Sequence, residues 1–242
     1  MLIDGHLTSK DNFMRMLIFV KLITIISIAV AIGCGIVNSS SKAVDVKAPA
    51  VVNATEIESQ TPKGFETAVF AGGCFWGVEA VFESLKGVKE AKSGYAGGSG
   101  KTANYEDVSG GDTQHAEAVQ VTFDPEKITY AQLLKVFFSV AHNPTELNRQ
   151  GPDVGTQYRS SIFFINDGQQ KQATEYIAEL EKSKAWPKPI VTKVVPLTKF
   201  YPAEAYHQNY LVRNPDEPYI VQHDLPKLAE LKKQFPEFYV QK

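Results

Sequence analysis

At 242 residues, with 43% hydrophobic and 21% charged residues, the chain holds enough apolar material for one globular domain with its own core, plus an extension. A formal charge of −2 at neutral pH gives no electrostatic ground for a nucleic-acid partner. The two cysteines, Cys34 and Cys74, are too few for a disulfide framework, and their surroundings differ so much that each is read separately.

The extension reads as a targeting segment over residues 1–34. The apolar run from Leu22 to Gly33 follows Arg15 and Lys21 and suits the core of a signal peptide better than a membrane span, which needs about 20 residues. The polar stretch Met1 to Phe13 fits no signal peptide and points to translation from Met14 or Met16. The run closes on Ala31-Ile32-Gly33-Cys34, which resembles a bacterial lipoprotein box, with Ala31 where Leu is usual. The resemblance implies lipidation of Cys34 and a periplasm-facing, membrane-anchored chain. Cleavage without lipid and an uncleaved anchor helix from about Met16 to Val37 are the alternatives. Gly35 rather than Asp after the cysteine permits, by the same resemblance, outer-membrane sorting. Residues 35–63 read as a flexible linker rich in Ser, Ala, Val and Pro, whose Asn-x-Ser/Thr triplets at Asn38 and Asn53 are matches expected by chance.

A folded domain then occupies residues 64–242. The apolar run Ala68-Val69-Phe70-Ala71, ending at Gly72-Gly73, predicts a buried strand. Apolar positions Phe75, Val78, Val81, Phe82 and Leu85 recur at three and four residues and predict a helix closed by Gly87. Val88 to Tyr95 reads as a second strand, followed by a Gly-rich turn at Ala96 to Gly100 and a polar loop carrying Tyr105. Ala116 to Phe123 alternates as a third strand, with Glu117, Val119, Val121 and Phe123 on one face. Thr129 and Gln132 form a capping box that opens a helix presenting Tyr130, Leu133, Leu134, Phe137 and Ala141. A long irregular loop from His142 to Tyr158 leads to a strand at Ile162 to Ile165, a helix through about Ser183, and a last strand near Ile190 to Leu197. Beyond Tyr201 only short helices and loops are expected. The order β-α-β-β-α-β predicts an α+β fold: a ferredoxin-like, split β-α-β two-layer sandwich with additional C-terminal helices and loops.

The segment Gly73-Cys74-Phe75-Trp76-Gly77-Val78-Glu79 places a cysteine at the first turn of a helix just after a buried strand. A free thiol has a pKa of about 8.5, and the unpaired N–H groups and dipole of a helix start favour its anion. The dipole supplies about 0.3–1 kcal/mol, less than one pKa unit, so it activates the thiol only partly. Phe75 and Trp76 offer an apolar wall beside the sulfur.

This segment resembles the signature of class A peptide methionine sulfoxide reductases. The match continues through Gly94-Tyr95-Ala96-Gly97-Gly98, His115-Ala116-Glu117-Ala118-Val119 and Gly155-Thr156-Gln157-Tyr158-Arg159-Ser160, over roughly Thr67 to Tyr210. The resemblance implies a thiol-dependent oxidoreductase that repairs the S epimer of methionine sulfoxide, free or in proteins, through a sulfenic acid on Cys74. By resemblance Glu117 protonates the departing oxygen, Tyr105 and Tyr158 hold that oxygen, Asp153 orients Tyr158 or a water, and Phe75 with Trp76 form the methyl pocket. Independently, a carboxyl among Ala116, Ala118 and Val119 is expected to be desolvated and therefore protonated. Neither a cofactor nor a metal is implied: His115, His142, His207 and His223 match no paired-ligand spacing. Gly98-Ser99-Gly100-Lys101-Thr102 mimics the end of a phosphate-binding loop, but Tyr95 stands where that pattern requires Gly.

Many relatives close a disulfide from C-terminal cysteines, and the tail Phe235 to Lys242 has none. The expected partners are therefore oxidised proteins or peptides and an external thiol, either a thioredoxin-like protein or a small molecule. Asn143 stands where relatives often have Asp. Two other classes compete: a cysteine hydrolase using His115 or His207 as base, and a module that merely grips methionine-rich peptides with Phe75 and Trp76.

Overall fold

The computed structural model describes residues 60–241. The targeting segment, the lipidation of Cys34 and nearly all of the linker lie outside the described residues. No helix among the described residues is long and apolar enough to cross a membrane.

Strand β1 (Glu66–Gly72) is buried at every residue but its first, as its unbroken apolar run requires. Helix α1 (Phe75–Glu83) follows and returns the chain to β2 (Val88–Ala96). A short helix, α2 (Tyr105–Ser109), precedes β3 (Ala116–Phe123). Thr129 and Gln132 cap α3 (Tyr130–Val136) reciprocally, each side chain bonding the other's backbone N–H. A π-helical turn extends α3 over Phe137–Ala141. The next segment carries a small hairpin, β4 (Arg149–Gln150) with β5 (Asp153–Val154), before β6 (Ser160–Phe164) and α4 (Asp167–Lys182). The chain finishes with β7 (Lys193–Pro196), β8 (Phe200–Pro202), α5 (Tyr210–Arg213), a π-turn at Ile220–Asp224, and α6 (Leu225–Gln234).

The main sheet has the order β7-β6-β1-β3-β2-β8. Neighbours among its four central strands pair antiparallel, so β1 and β2 run in the same direction on either side of β3, and α1 carries the chain over β3 between them. That is the split β-α-β arrangement expected from the element order. The additions are β7, parallel to β6, and β8, antiparallel to β2. On one face Phe70, Val119, Val121 and Ile162 pack under Val78, Phe82, Leu133 and Phe137. The opposite face is not bare: Val69, Ala71, Ala118 and Phe163 are closed by Leu197, which follows β7, and by Phe200 of β8.

Three local expectations change. Helix α1 is capped by Ser84, not by Gly87. Gly87 instead adopts φ +93° in the turn into β2, where a Cβ would stand 2.8 Å from Ile128. Tyr105 begins a helix rather than lying in a loop, because Asn104 accepts from the backbone N–H of Asp107 and caps it. The last strand is shorter than Ile190 to Leu197 and runs as a parallel edge ending at Pro196.

The C-terminal tail is held under α1 by a bridge between Leu85 and Tyr239 and by the Val240 N–H donating to the Ser84 carbonyl. Phe70 sits at the centre, its ring 5.0 Å from Phe82 and 4.9 Å from Phe137. Phe70→Ala is expected to lower unfolding free energy by about 3–5 kcal/mol and Thr129→Ala by about 1 kcal/mol, each read from urea denaturation midpoints.

Candidate active site

The site forms where β1 hands over to α1. Gly73 takes φ +94°, and a Cβ there would lie 2.6 Å from the Gln150 side chain. Only glycine turns the chain at this point without displacing the β4 hairpin. Cys74 follows as the N-cap residue of α1, its sulfur making no capping bond and the residue only 8% exposed.

Strand β3 supplies the neighbouring acid. Glu117 pairs with Tyr95 across the sheet, and its Oε2 accepts from the Phe75 backbone N–H at 3.0 Å. That N–H is one of the donors a helix start leaves without an intrahelical acceptor, so the bond seats the carboxyl against the first turn of α1, beside the thiol. The residue is 2% exposed. Burial pushes its pKa up to about 8, the Phe75 N–H acts against that shift, and the nearby charge of Asp153 adds to it. Glu117 is therefore a carboxylic acid at neutral pH, as a proton donor must be.

Burial also decides the state of Cys74. Desolvation holds the thiol well above its usual range, Glu117 and Asp224 add to the effect, and the Trp76 N–H and Lys227 act the other way. The expected activation by the helix start is present but smaller than the cost of charging a buried sulfur. At rest the sulfur is a thiol.

Tyr105 and Tyr158 are half-buried, and among the described residues neither hydroxyl has a hydrogen-bond partner. Both feel Glu117, Cys74 and Asp153, which with burial raise their pKa; they remain phenols, able to donate. The Tyr105 backbone N–H donates to Glu204 Oε1 at 2.9 Å, and the Tyr95 hydroxyl donates to Glu204 Oε2 at 2.8 Å, so one carboxylate braces α2 against β2. Asp153 lies on the wall of the Cys74 cleft. Its carboxylate accepts from the Tyr219 hydroxyl rather than from Tyr158.

Phe75 and Trp76, the first residues of α1, pack against aromatic rings of the C-terminal segment. Phe75 is 1% exposed, with its ring 5.0 Å from that of His207. Trp76 stacks on Tyr210 at 3.8 Å, and Tyr219 meets it edge-on at 6.0 Å. The Trp76 indole N–H donates to His207 Nδ1 at 3.1 Å, which fixes His207 as the neutral tautomer protonated on Nε2. Burial lowers its pKa further.

No histidine among the described residues hydrogen-bonds the Cys74 sulfur. His207 is engaged by Trp76, and His115 Nε2 bonds the Ser99 carbonyl at 2.9 Å. His142 lines the Cys74 cleft, but its Nδ1–H donates to the Phe137 carbonyl at 2.9 Å and its Nε2 accepts from Ser160 at 2.7 Å; burial lowers its pKa to about 3. The cysteine-hydrolase reading fails on this geometry, for want of a base. Also among the described residues, no group of three or more His, Cys, Asp or Glu is placed to hold a metal ion.

Residues 66–238 match the family model described as peptide methionine sulfoxide reductase. The chain belongs to that family. It is 57% identical over 186 residues to peptide methionine sulfoxide reductase MsrA 2 of Mesorhizobium japonicum, covering 77% of this chain and 95% of that protein. It is 48% identical over 208 residues to MsrA 2 of a Synechocystis species, covering 86% and 95%. Its fold is similar to that of reduced Mxr1 from Saccharomyces cerevisiae, with a TM-score of 0.60, 38% identity, and 64% and 88% of the two chains covered.

Several members of the site escaped the sequence reading: Glu204, Tyr210, Tyr219, Asp224 and Lys227, while His207, weighed there only as a base or a metal ligand, is instead the partner of Trp76. All come from the Pro- and Tyr-rich C-terminal third, which has no period to read, and they reach Cys74 only through the fold. Glu79, the last residue of the cysteine segment, is also structural: buried, it accepts from the Ser93 hydroxyl and, at 2.6 Å, from the Asn209 N–H, tying α1 to β2 and to the C-terminal segment. Gly77 has a similar explanation. A Cβ there would lie 2.0 Å from Asp224 Oδ1. Gly77→Ala is expected to cost about 1–3 kcal/mol of stability in thermal unfolding, and Gly77→Ala combined with Asp224→Ala to regain part of that loss.

Proposed function

We propose that this enzyme reduces methionine-S-sulfoxide, free or in proteins, with Cys74 as nucleophile, Glu117 as acid, Tyr105 and Tyr158 as donors to the oxygen, and Phe75 and Trp76 as the methyl pocket. The observation that carries the reading is the Glu117 carboxyl, protonated by burial and bonded to the N–H next to Cys74. A sulfoxide oxygen is a poor leaving group until protonated, so an acid beside the sulfur is what the reaction demands. Asp153 holds Tyr219 against the indole of Trp76 and so shapes the pocket from its rim.

Cys74 Sγ attacks the sulfoxide sulfur while Glu117 gives its proton to the oxygen and regains one from the thiol. The sulfur–oxygen bond of the substrate breaks, hydroxyl passes to Cys74, and methionine leaves; the substrate sulfur is reduced by two electrons and the cysteine sulfur oxidised by two. An external thiol then attacks the sulfenic acid, water leaves, and a second thiol releases the mixed disulfide and restores Cys74. A thioredoxin-like protein or a small thiol fills that role, because Cys74 is the sole cysteine within residues 35–242.

The export and lipid anchor read from residues 1–34, and the division at residues 35–63 and 64–242, belong to the same proposal. Their support is the sequence pattern alone. Metabolic labelling with a fatty acid should mark the wild type and leave Cys34→Ser unlabelled.

Purified enzyme should consume the S epimer of a peptidyl sulfoxide and leave the R epimer; equal loss of both epimers counts against the assignment. Cys74→Ser should abolish turnover. Glu117→Gln should slow sulfenic acid formation by about 100-fold or more with substrate affinity nearly unchanged. Because only the protonated carboxyl donates, the single-turnover rate attributable to Glu117 should fall as pH rises through about 8, and Glu117→Gln should remove that inflection. One turnover without reductant should leave a trappable Cys74 sulfenic acid, and a Cys34–Cys74 disulfide would overturn the external-thiol step.

A further inference from the structure

The mechanism above leaves a buried ion pair unused. Asp224, fully buried at the head of α6, holds Lys227 Nζ on Oδ1 at 3.1 Å, while its Oδ2 is buried without a hydrogen-bond partner. A lone carboxylate so far from water is costly, and the pair persists only because a cation accompanies it. The pair is aimed at the nucleophile's own helix turn. From the Cβ position of Gly77, three residues after Cys74, Asp224 Oδ1 is 2.0 Å away and Lys227 Nζ 2.7 Å away. Any side chain at Gly77 would drive them off. Lys227 also lines the cleft of about 420 Å³ that opens onto Cys74.

We propose that Asp224 and Lys227 are positioning residues for the reaction of Cys74, with the Lys227 ammonium serving as counter-ion to the Cys74 thiolate and Asp224 fixing that ammonium against the bare backbone of Gly77. The proposal rests on Cys74 as the nucleophile. The other groups facing the sulfur are of the wrong kind for this task. Glu117 from β3, Asp153 from β5 and Asp224 itself are acids. Tyr105 from α2, Tyr158 and Tyr219 are phenols held in their neutral form, and Glu146 on the cleft wall is a further carboxyl. His142 stays neutral through its burial, and His223 is a further imidazole on the cleft wall. Lys227 is the one ammonium among the residues lining that cleft. The electrostatics agree in sign: Lys227 favours the thiolate and Asp224 opposes it.

The consequence is opposite effects from adjacent residues, which a purely structural pair does not produce. The experiment measures Cys74 alkylation by iodoacetamide against pH in the full chain carrying Cys34→Ser, a readout that needs no reductase turnover and so separates this inference from the activity itself. Lys227→Gln should move the alkylation midpoint up by about one unit, slowing alkylation below the midpoint about tenfold. Asp224→Asn, which removes the carboxylate that opposes the thiolate while its amide oxygen can still hold the ammonium, should move the midpoint down. Lys227→Arg, which keeps the charge, should stay near wild type. Shifts of the same sign in Lys227→Gln and Asp224→Asn, or no shift in Lys227→Gln, overturn the proposal. If Asp224→Asn does not fold, the contrast between Lys227→Gln and Lys227→Arg decides alone: an upward shift in Gln with none in Arg supports the counter-ion, and equal behaviour of the two refutes it.

Discussion

Everything at this site depends on one hydrogen bond, from the Phe75 N–H to the Glu117 carboxyl. A helix start leaves N–H groups unpaired, and a carboxyl taken from water needs partners or a proton. Placing the two together answers the first need in full and the second in part. The remainder is met by keeping the carboxyl protonated. Because β3 lies between β1 and β2, the strand that supplies Glu117 is the one over which α1 must cross. The ferredoxin-like topology thus brings acid and thiol together without a loop having to be ordered for the purpose.

Around this bond the C-terminal third acts as a clamp. Glu204 braces Tyr95 and Tyr105, His207 and Tyr210 hold the Trp76 indole, Tyr219 joins Asp153, and Asp224 reaches α1 at Gly77. These contacts are polar or aromatic and each has a preferred geometry, so they fix orientation more strictly than aliphatic packing does. The glycine at position 77 and the glutamate at position 79, which look like part of a chemical signature, serve this clamp instead: one makes room for the incoming segment and the other ties it down.

The parts of the fold legible in sequence were those whose causes are local. Strand β3 and the Thr129–Gln132 cap follow from alternation and from a reciprocal side-chain motif spaced by three residues, and both are found where those patterns put them. The order of the elements sufficed for the split β-α-β topology. Local rules misled where a competing local partner existed. Ser84 ended α1 before Gly87 did, and Asn104 turned a polar loop into the short helix that carries Tyr105. The burial of Cys74 was hidden for a different reason: the helix start, with its partial activation, is visible in sequence, whereas the surroundings that bury the sulfur are assembled from α1, β3 and the C-terminal segment. Asp153 was legible as a member of the site but not in its partner, because Tyr219 lies far along the chain in a stretch without periodicity.

A neutral resting sulfur has a consequence for survival under the conditions that create the substrate. Peroxides oxidise thiolates, not thiols, and the same oxidant that damages methionine would carry an exposed thiolate past sulfenic acid to forms that ordinary thiols do not reverse. Holding Cys74 protonated and 8% exposed makes it a slow target for such oxidants. The repair protein is thereby spared the injury it mends.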